Sequence, residues 1–277
     1  MLLESAYGKS RVRLVQLTRC DDRHDLRDLT VAIRFQGQYD ESYTAGDNSG
    51  VLPTDTMKNT VYALAAATPP GQPETFGLRL ARHFLDRNAR LDRVGIDLTE
   101  RAWVRIRSNG RDDPYAFVGR GPDARVARVL VDRTITTVSG GVADLLILKS
   151  SRSAFAGFIQ DDLTTLPETA DRILATSLTA TWRYGPGDVD FELAWGIVRQ
   201  TLLESFAAHD SASVQHTMYA MGEAVLARVP DVVDIHLVMP NKHHLPVDLS
   251  PFGLENRNEI FVATDEPFGL IEATIAR

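Results

Sequence analysis

The chain is predicted to be an α+β protein made of two tandem copies of one unit, strand, strand, helix, helix, strand, strand (ββααββ). Its antiparallel sheets should be covered by helices on one face. Three observations point there: alternating apolar segments come in pairs, each first pair is followed by two successive amphipathic segments, and the order repeats once along 277 residues. The repeats are placed at 1–138 and 139–277.

In the first repeat Arg11 to Leu17 and Leu29 to Phe35 read as strands. In the second of these, Leu29, Val31, Ile33 and Phe35 alternate against Thr30, Ala32 and Arg34. Pro53 keeps the residue before it out of helical geometry, and Thr54 and Asp55 are expected to cap the helix that follows. Met57, Val61, Leu64, Ala65 and Thr68 form its core-facing stripe. The breaker run PPGQP precedes a second helix from about Glu74, with Phe76, Leu80 and Phe84 spaced by four. Val94, Ile96 and Leu98 then lead into AWVRIRS, and YAFVGR and ARVARVLVD read as two further extended segments.

The second repeat starts after Ser139-Gly140-Gly141 with VADLLILKS and, past a polar insert, LTATWRY. A helix from about Asp190 carries the stripe Phe191, Trp195, Val198, Leu202 and Phe206. The next starts near Ser211 or Ser213 and carries Val214, Met218, Met221 and Val225. Val233 to Met239 alternates as a strand, and Glu259 to Ala263 is expected to be the last. Sheets covered on one face leave edges and a bare face, which closing into a barrel across subunits would bury, so an oligomer is expected.

Composition narrows the function classes. With 44% hydrophobic and 24% charged residues, the chain reads as soluble and globular. Thirty basic against 37 acidic residues, a net charge of −7, argue against nucleic acid as the main partner. Cys20 is the only cysteine, which rules out an intrachain disulfide and a multi-cysteine zinc site and fits a reducing compartment. No signal-like apolar region opens the sequence and no run of about 18 apolar residues crosses a membrane, so a cytoplasmic protein is expected. There is no Rossmann glycine pattern, phosphate loop or HExxH, so neither an organic cofactor nor a metal is expected.

Four segments resemble the urate oxidase (uricase) family of the tunnelling fold, or T-fold, and in register they span essentially the whole chain. They are YGKSRVRL with NSGVLPTDTMKNTVYALA, then FAGFIQDDLTTLPETADRILATSLTATWRY, then SASVQHTMYAMGEAVLARV, and finally MPNKHHLPVDLS. The resemblance implies oxidation of urate by O2 and water to 5-hydroxyisourate and hydrogen peroxide, without a cofactor. It also implies a homotetramer enclosing a tunnel, with each site shared between subunits.

The resemblance assigns Lys9, Thr54 and His243 to a proton relay. Arg172 and Gln215 become the pincers on the pyrimidine ring of urate, with Phe155 as the stacking plate and Leu166 and Val214 as walls. Asn241 stands at the pocket above the ring where oxygen or water sits. Thr54 and Asp55 meet the imidazole side, from a neighbouring subunit relative to Arg172 and Gln215.

The residue types suit those roles. A planar guanidinium and an amide together read adjacent carbonyl and N–H edges. Backbone amides at a helix start favour an anion, and an imidazole exchanges protons near neutrality. Taken one at a time, Arg172 reads better as an ion pair with Asp171 and Phe155 as a core aromatic. Pro53 and His244-Leu245 depart from the family pattern, and the terminal Ile-Ala-Arg is not a peroxisomal SKL-type signal. Two other readings remain: a T-fold enzyme acting on a pterin or guanine nucleotide, and a non-catalytic purine-binding protein. The first lacks the cysteine partners a zinc-dependent member needs, and the second would have no use for Lys9, Thr54 and His243.

Overall fold

Period-two burial builds the first sheet. In β2 (His24–Gly37) Leu29, Val31, Ile33 and Phe35 are buried while Arg34 is exposed, and β1 (Tyr7–Arg19) pairs antiparallel with it. A short helix, α1 (Asp40–Thr44), follows, and then come α2 (Thr54–Ala67) and α3 (Pro73–Arg87). Long strands β3 (Leu91–Ser108) and β4 (Arg111–Asp132) complete the order β1-β2-β3-β4. These features come from a computed structural model, which describes residues 2–277.

Helices α2 and α3 lie on one face of this sheet. Met57, Val61 and Ala65 from α2 and Phe76, Leu80 and Phe84 from α3 join Val31, Phe35, Ile96 and Val129 in a single apolar core. Leu64 is half-buried and Thr68 is exposed, so the predicted α2 stripe is one residue too long. Arg125 is buried at the end of this core, bonded to the fully buried Glu74 at 2.9 Å and to Glu192 at 2.6 Å.

YAFVGR and ARVARVLVD belong to the single strand β4, as the repeat order requires. Trp103 opposes Gly119 and Arg101 opposes Ala124, so the Gly121-Pro122 break is taken up as an irregularity within β4.

By contacts the chain divides into two compact units, Met1–Gly141 with Asp188–Glu192, and Val142–Gly187 with Leu193–Arg277. β5 (Thr136–Lys149) leads from the first into the second, whose strands run β5, β6 (Leu174–Tyr184), β7 (Val232–Lys242) and an eighth-position strand at Gly269–Ala276. Helices α4 (Phe191–Ala208) and α5 (Val214–Arg228) come between β6 and β7. α5 packs on β7 and buries Val214, Met218, Met221 and Val225, while α4 buries Val198, Leu202 and Phe206.

The last sheet strand is not at Glu259–Ala263. His244–Pro246 forms β8 and Phe261–Ala263 forms β9, and the two make a separate hairpin; β10, Gly269–Ala276, is the strand that pairs with β7. In β10 only Ile275 is buried, so an edge strand lacked the apolar alternation that marks the others. Among the described residues, no helix is long and apolar enough to cross a membrane.

Candidate active site

The first cluster of candidate residues is set by Tyr7. Its hydroxyl accepts the Leu52 amide at 3.0 Å, while its ring meets Tyr39 and Phe35 edge-on at 5.0 and 5.7 Å. This fastens the approach to α2 against the start of β1. Gly8 follows because nothing larger fits: a Cβ there would stand 1.8 Å from the Ile33 carbonyl oxygen.

Lys9 then opposes Ile33, and directly opposed residues of an antiparallel pair share a face, so Lys9 lies on the helix-covered side of β1. The next register pair is Val12 with Val31: three steps on β1 against two on β2, with Arg11 in the left-handed region at φ 58°. This bulge turns Arg11 outward and returns Val12 to the core.

Thr54 and Asp55 do not cap α2. The N-cap position is Pro53, which has no side-chain acceptor, and Thr54 and Asp55 lie in the first helical turn. The first intrahelical bond is Met57 N–H to the Pro53 carbonyl at 3.2 Å, so the amides of residues 54 to 56 precede it and have no partner within the helix. Asp55 uses its carboxylate locally, accepting from Lys58 at 2.5 Å and Asn59 at 2.9 Å. Its pKa is lowered first by the Lys58 bond and charge, and last among the causes by the charge of Lys9. The carboxylate is thus engaged, and what the turn has left to offer is its amides and the half-buried Thr54 hydroxyl.

The second cluster forms in the insert between β5 and β6. Phe155 and Thr169 exchange two backbone bonds of 2.9 Å, and Ser153 forms a parallel bridge with Ser211, where Ala154 N–H donates to the Ser211 carbonyl at 2.7 Å. These ties string Phe155 beside the start of α5. The α5 N-cap is Ser213, whose hydroxyl accepts His216 N–H at 3.1 Å; Val214 is buried and Gln215 is exposed in that first turn.

The Arg172 guanidinium lies over the Phe155 ring, 5.1 Å from its centroid. Its Nε is buried without a hydrogen-bond partner, and burial alone lowers its pKa. Asp171 does not pair with it, for that carboxylate accepts the Ser151 hydroxyl at 2.6 Å and the Ser153 amide at 3.2 Å. Those bonds, the Ser151 hydroxyl first, hold the Asp171 pKa down.

These contacts draw Phe155, Arg172 and the first turn of α5 together; they do not include Leu166, Asn241 or His243. Leu166 is 54% exposed on the insert. Asn241 is half-buried in β7, opposite Thr176 and Gly269. His243 sits between β7 and β8, with its carbonyl accepting Thr264 N–H at 2.9 Å. No group of three or more His, Cys, Asp or Glu among the described residues is arranged to hold a metal ion.

A model of the uricase family matches residues 5–130 and 138–272. The chain belongs to the uricase family. It is 43% identical to uricase from Arthrobacter globiformis, covering 100% of this chain and 90% of that one, and 36% identical to uricase from Oryctolagus cuniculus, covering 99% and 94%. The crystal structure of the Arthrobacter globiformis uricase superposes with a TM-score of 0.95, at 43% identity over 100% of this chain and 95% of that one. The fold is therefore the uricase T-fold, with its two tandem repeats and antiparallel strands. Two supporting residues of this uricase chain were absent from the sequence-based site. Tyr7 stood inside the YGK motif without a role, and Asp171 was weighed only as a partner for Arg172. Their hydroxyl and carboxylate bond to backbone or serine groups distant in sequence, which no spacing rule reveals.

Proposed function

We propose that the chain oxidises urate without a cofactor, at a site in which Arg172 and Gln215 hold the substrate over Phe155. As a member of its family it is a urate oxidase, an oxidoreductase acting on urate. The observation that carries the site is the Arg172 guanidinium: it is stacked on Phe155, with a buried Nε unspent and its neighbouring carboxylate engaged elsewhere. A cation so placed lacks an acceptor pair, and the carbonyl edge of a purine dione is one. Gln215, exposed at the start of α5, supplies the second recognition group, and Val214 and Leu166 serve as walls.

The reaction balances as urate, O2 and water giving 5-hydroxyisourate and hydrogen peroxide. Urate yields protons to become an electron-rich dianion and passes two electrons to O2, which takes up two protons and leaves as hydrogen peroxide. Water then adds at C5 of the dehydrourate and returns its proton to the relay of Lys9, Thr54 and His243, with Asn241 holding the oxygen or water above the ring. The Thr54 and Asp55 amides at the α2 mouth favour the anionic imidazole edge. The protein supplies orientation and proton transfer, and the substrate supplies the electrons. We place Thr54 and Asp55 across a subunit boundary from Arg172 and Gln215, in a homotetramer whose barrel buries the bare sheet face.

The test is to follow urate absorbance and peroxide together after dialysis against chelator. Equimolar loss and release support the proposal. Urate binding without turnover would make the protein a purine-binding module, and activity restored by one particular metal would overturn the cofactor-free chemistry. Size determination of the active species adds a separate check, since an active monomer would sink the shared site.

A further inference from the structure

Beside the α5 mouth stands a pair of imidazoles for which the reaction has no use. His209 Nε2 and His216 Nδ1 are 3.2 Å apart, with ring centroids at 4.4 Å and planes inclined at 68°. His209 follows the last residue of α4, and His216 is the third residue of α5, next to Gln215. One hydrogen bond thus spans the α4–α5 connection that delivers Gln215.

The rest of that connection is fastened from the β5 side. Lys149 Nζ donates to the Phe206 carbonyl at 3.2 Å and to the His209 carbonyl, while Arg152 donates to Asp210 at 2.5 Å and to the Ala208 carbonyl at 2.5 Å. Ser211 donates to the Ser213 carbonyl at 3.0 Å. These bonds hold the carbonyl end of α4 and the backbone of the turn. Beside the Ser213 cap bond to the His216 amide, the imidazole pair adds a side-chain link from the end of α4 to the exposed side of α5's first turn.

We infer that His209 and His216 form a proton-sensitive clamp that positions Gln215 for urate. An N–H···N bond between imidazoles needs one nitrogen without a proton, so it survives with both rings neutral or with one charged and is lost when both are charged. The other charged groups facing the pair are Lys149, Arg152 and Asp210. Burial first, then the charges of His216 and Lys149, lower the His209 pKa from its ordinary imidazole value. On acidification the clamp opens and Gln215 loses its fixed direction, which weakens urate binding before the chemistry.

The inference rests on Gln215 being a pincer, and the experiment separates the two. Urate KM and kcat are measured between about pH 5 and 8 for the unaltered protein, Gln215→Ala, His216→Ala and His216→Asn, each checked for native fold and assembly. Asparagine places an amide where Nδ1 stands, and that amide can donate to neutral His209 or accept from its charged form. His216→Ala should raise KM about three- to tenfold at neutral pH with kcat within about twofold, since small misplacements of a binding group cost that much or more. His216→Asn should restore the neutral KM and flatten the acid rise relative to the unaltered protein; ionisation of urate itself cancels in that comparison. If Gln215→Ala raises KM while His216→Ala leaves it unchanged, or if the asparagine variant rises in acid as steeply as the unaltered protein, the clamp is refuted. If Gln215→Ala leaves KM unchanged, the pincer role falls and the inference falls with it.

Discussion

The Tyr7 hydroxyl accepts the Leu52 amide across 45 residues of chain, at 3.0 Å, and so joins the first strand to the approach of α2. Replacing Tyr7 with Phe keeps the ring contacts and removes the acceptor. The Leu52 amide then loses its partner, at a cost of about 1 to 2 kcal/mol. Urea unfolding should show that loss, and turnover should fall as well because Thr54 is delivered by the same segment. Unchanged turnover in a destabilised Tyr7→Phe would separate the anchor from the chemistry.

Arg172→Ala and Gln215→Ala should chiefly damage urate recognition. Each leaves polar atoms of the substrate unmatched in a desolvated site, and losing the charged partner is worth about 2 to 5 kcal/mol. Direct binding of urate to folded variants measures this, and unchanged affinity would remove them from the site.

Lys9→Met should lower turnover far more than affinity. A threonine hydroxyl hardly ionises near neutrality, so Thr54 acts only through a neighbour that takes and returns a proton. Removing Thr54 as well should add less than its single effect, because members of one relay are not additive. A double-mutant cycle on kcat at saturating urate decides. Additive losses with a near-normal rate for Lys9→Met would mean a solvated lysine and a plain helix residue.

Asp132 gives a prediction about acid. Its carboxylate accepts the Thr134 and Ile135 amides at 2.8 and 2.7 Å and the Thr134 hydroxyl at 2.9 Å, and the Thr134 amide first among these pulls its pKa down to about 2. A carboxyl group lowered by folding adds stability above its unfolded value of 3.8, and that stability disappears as pH falls toward about 2. Asp132→Asn should therefore flatten the pH dependence of unfolding between about pH 5 and pH 2. Equal slopes for the two proteins would show that the turn carries no such coupling.

Much of the fold was readable because burial follows period. Val214, Met218, Met221 and Val225 are buried on α5 as their spacing requires, and β2 alternates as written. β10 escaped because an edge strand with one buried side chain carries almost no pattern, and α1 because it buries nothing. The candidate site could be named only through family resemblance. Local chemistry would pair Arg172 with Asp171, yet Asp171 is claimed by Ser151 and Ser153, so a competition settled in space decided which residue kept a free cation. The capping expectation failed for a related reason: Pro53 took the N-cap position and left Thr54 and Asp55 as the first two residues inside the helix.

The bulge between Lys9 and Val12 bears on what this chain tolerates. On either side of it β1 alternates in twos, and across it one extra residue resets the count. Deleting Arg11 would leave Lys9 and Val12 two steps apart, the same spacing as Ile33 and Val31 opposite them, so β1 could pair without the bulge and keep both side chains on the helix-covered face. Deleting Arg13 instead would make Val12 and Leu14 neighbours and turn them to opposite faces of the sheet. The surplus residue beside Lys9 is therefore the place where this strand can lose one amino acid and still present its lysine and its apolar row on the same side.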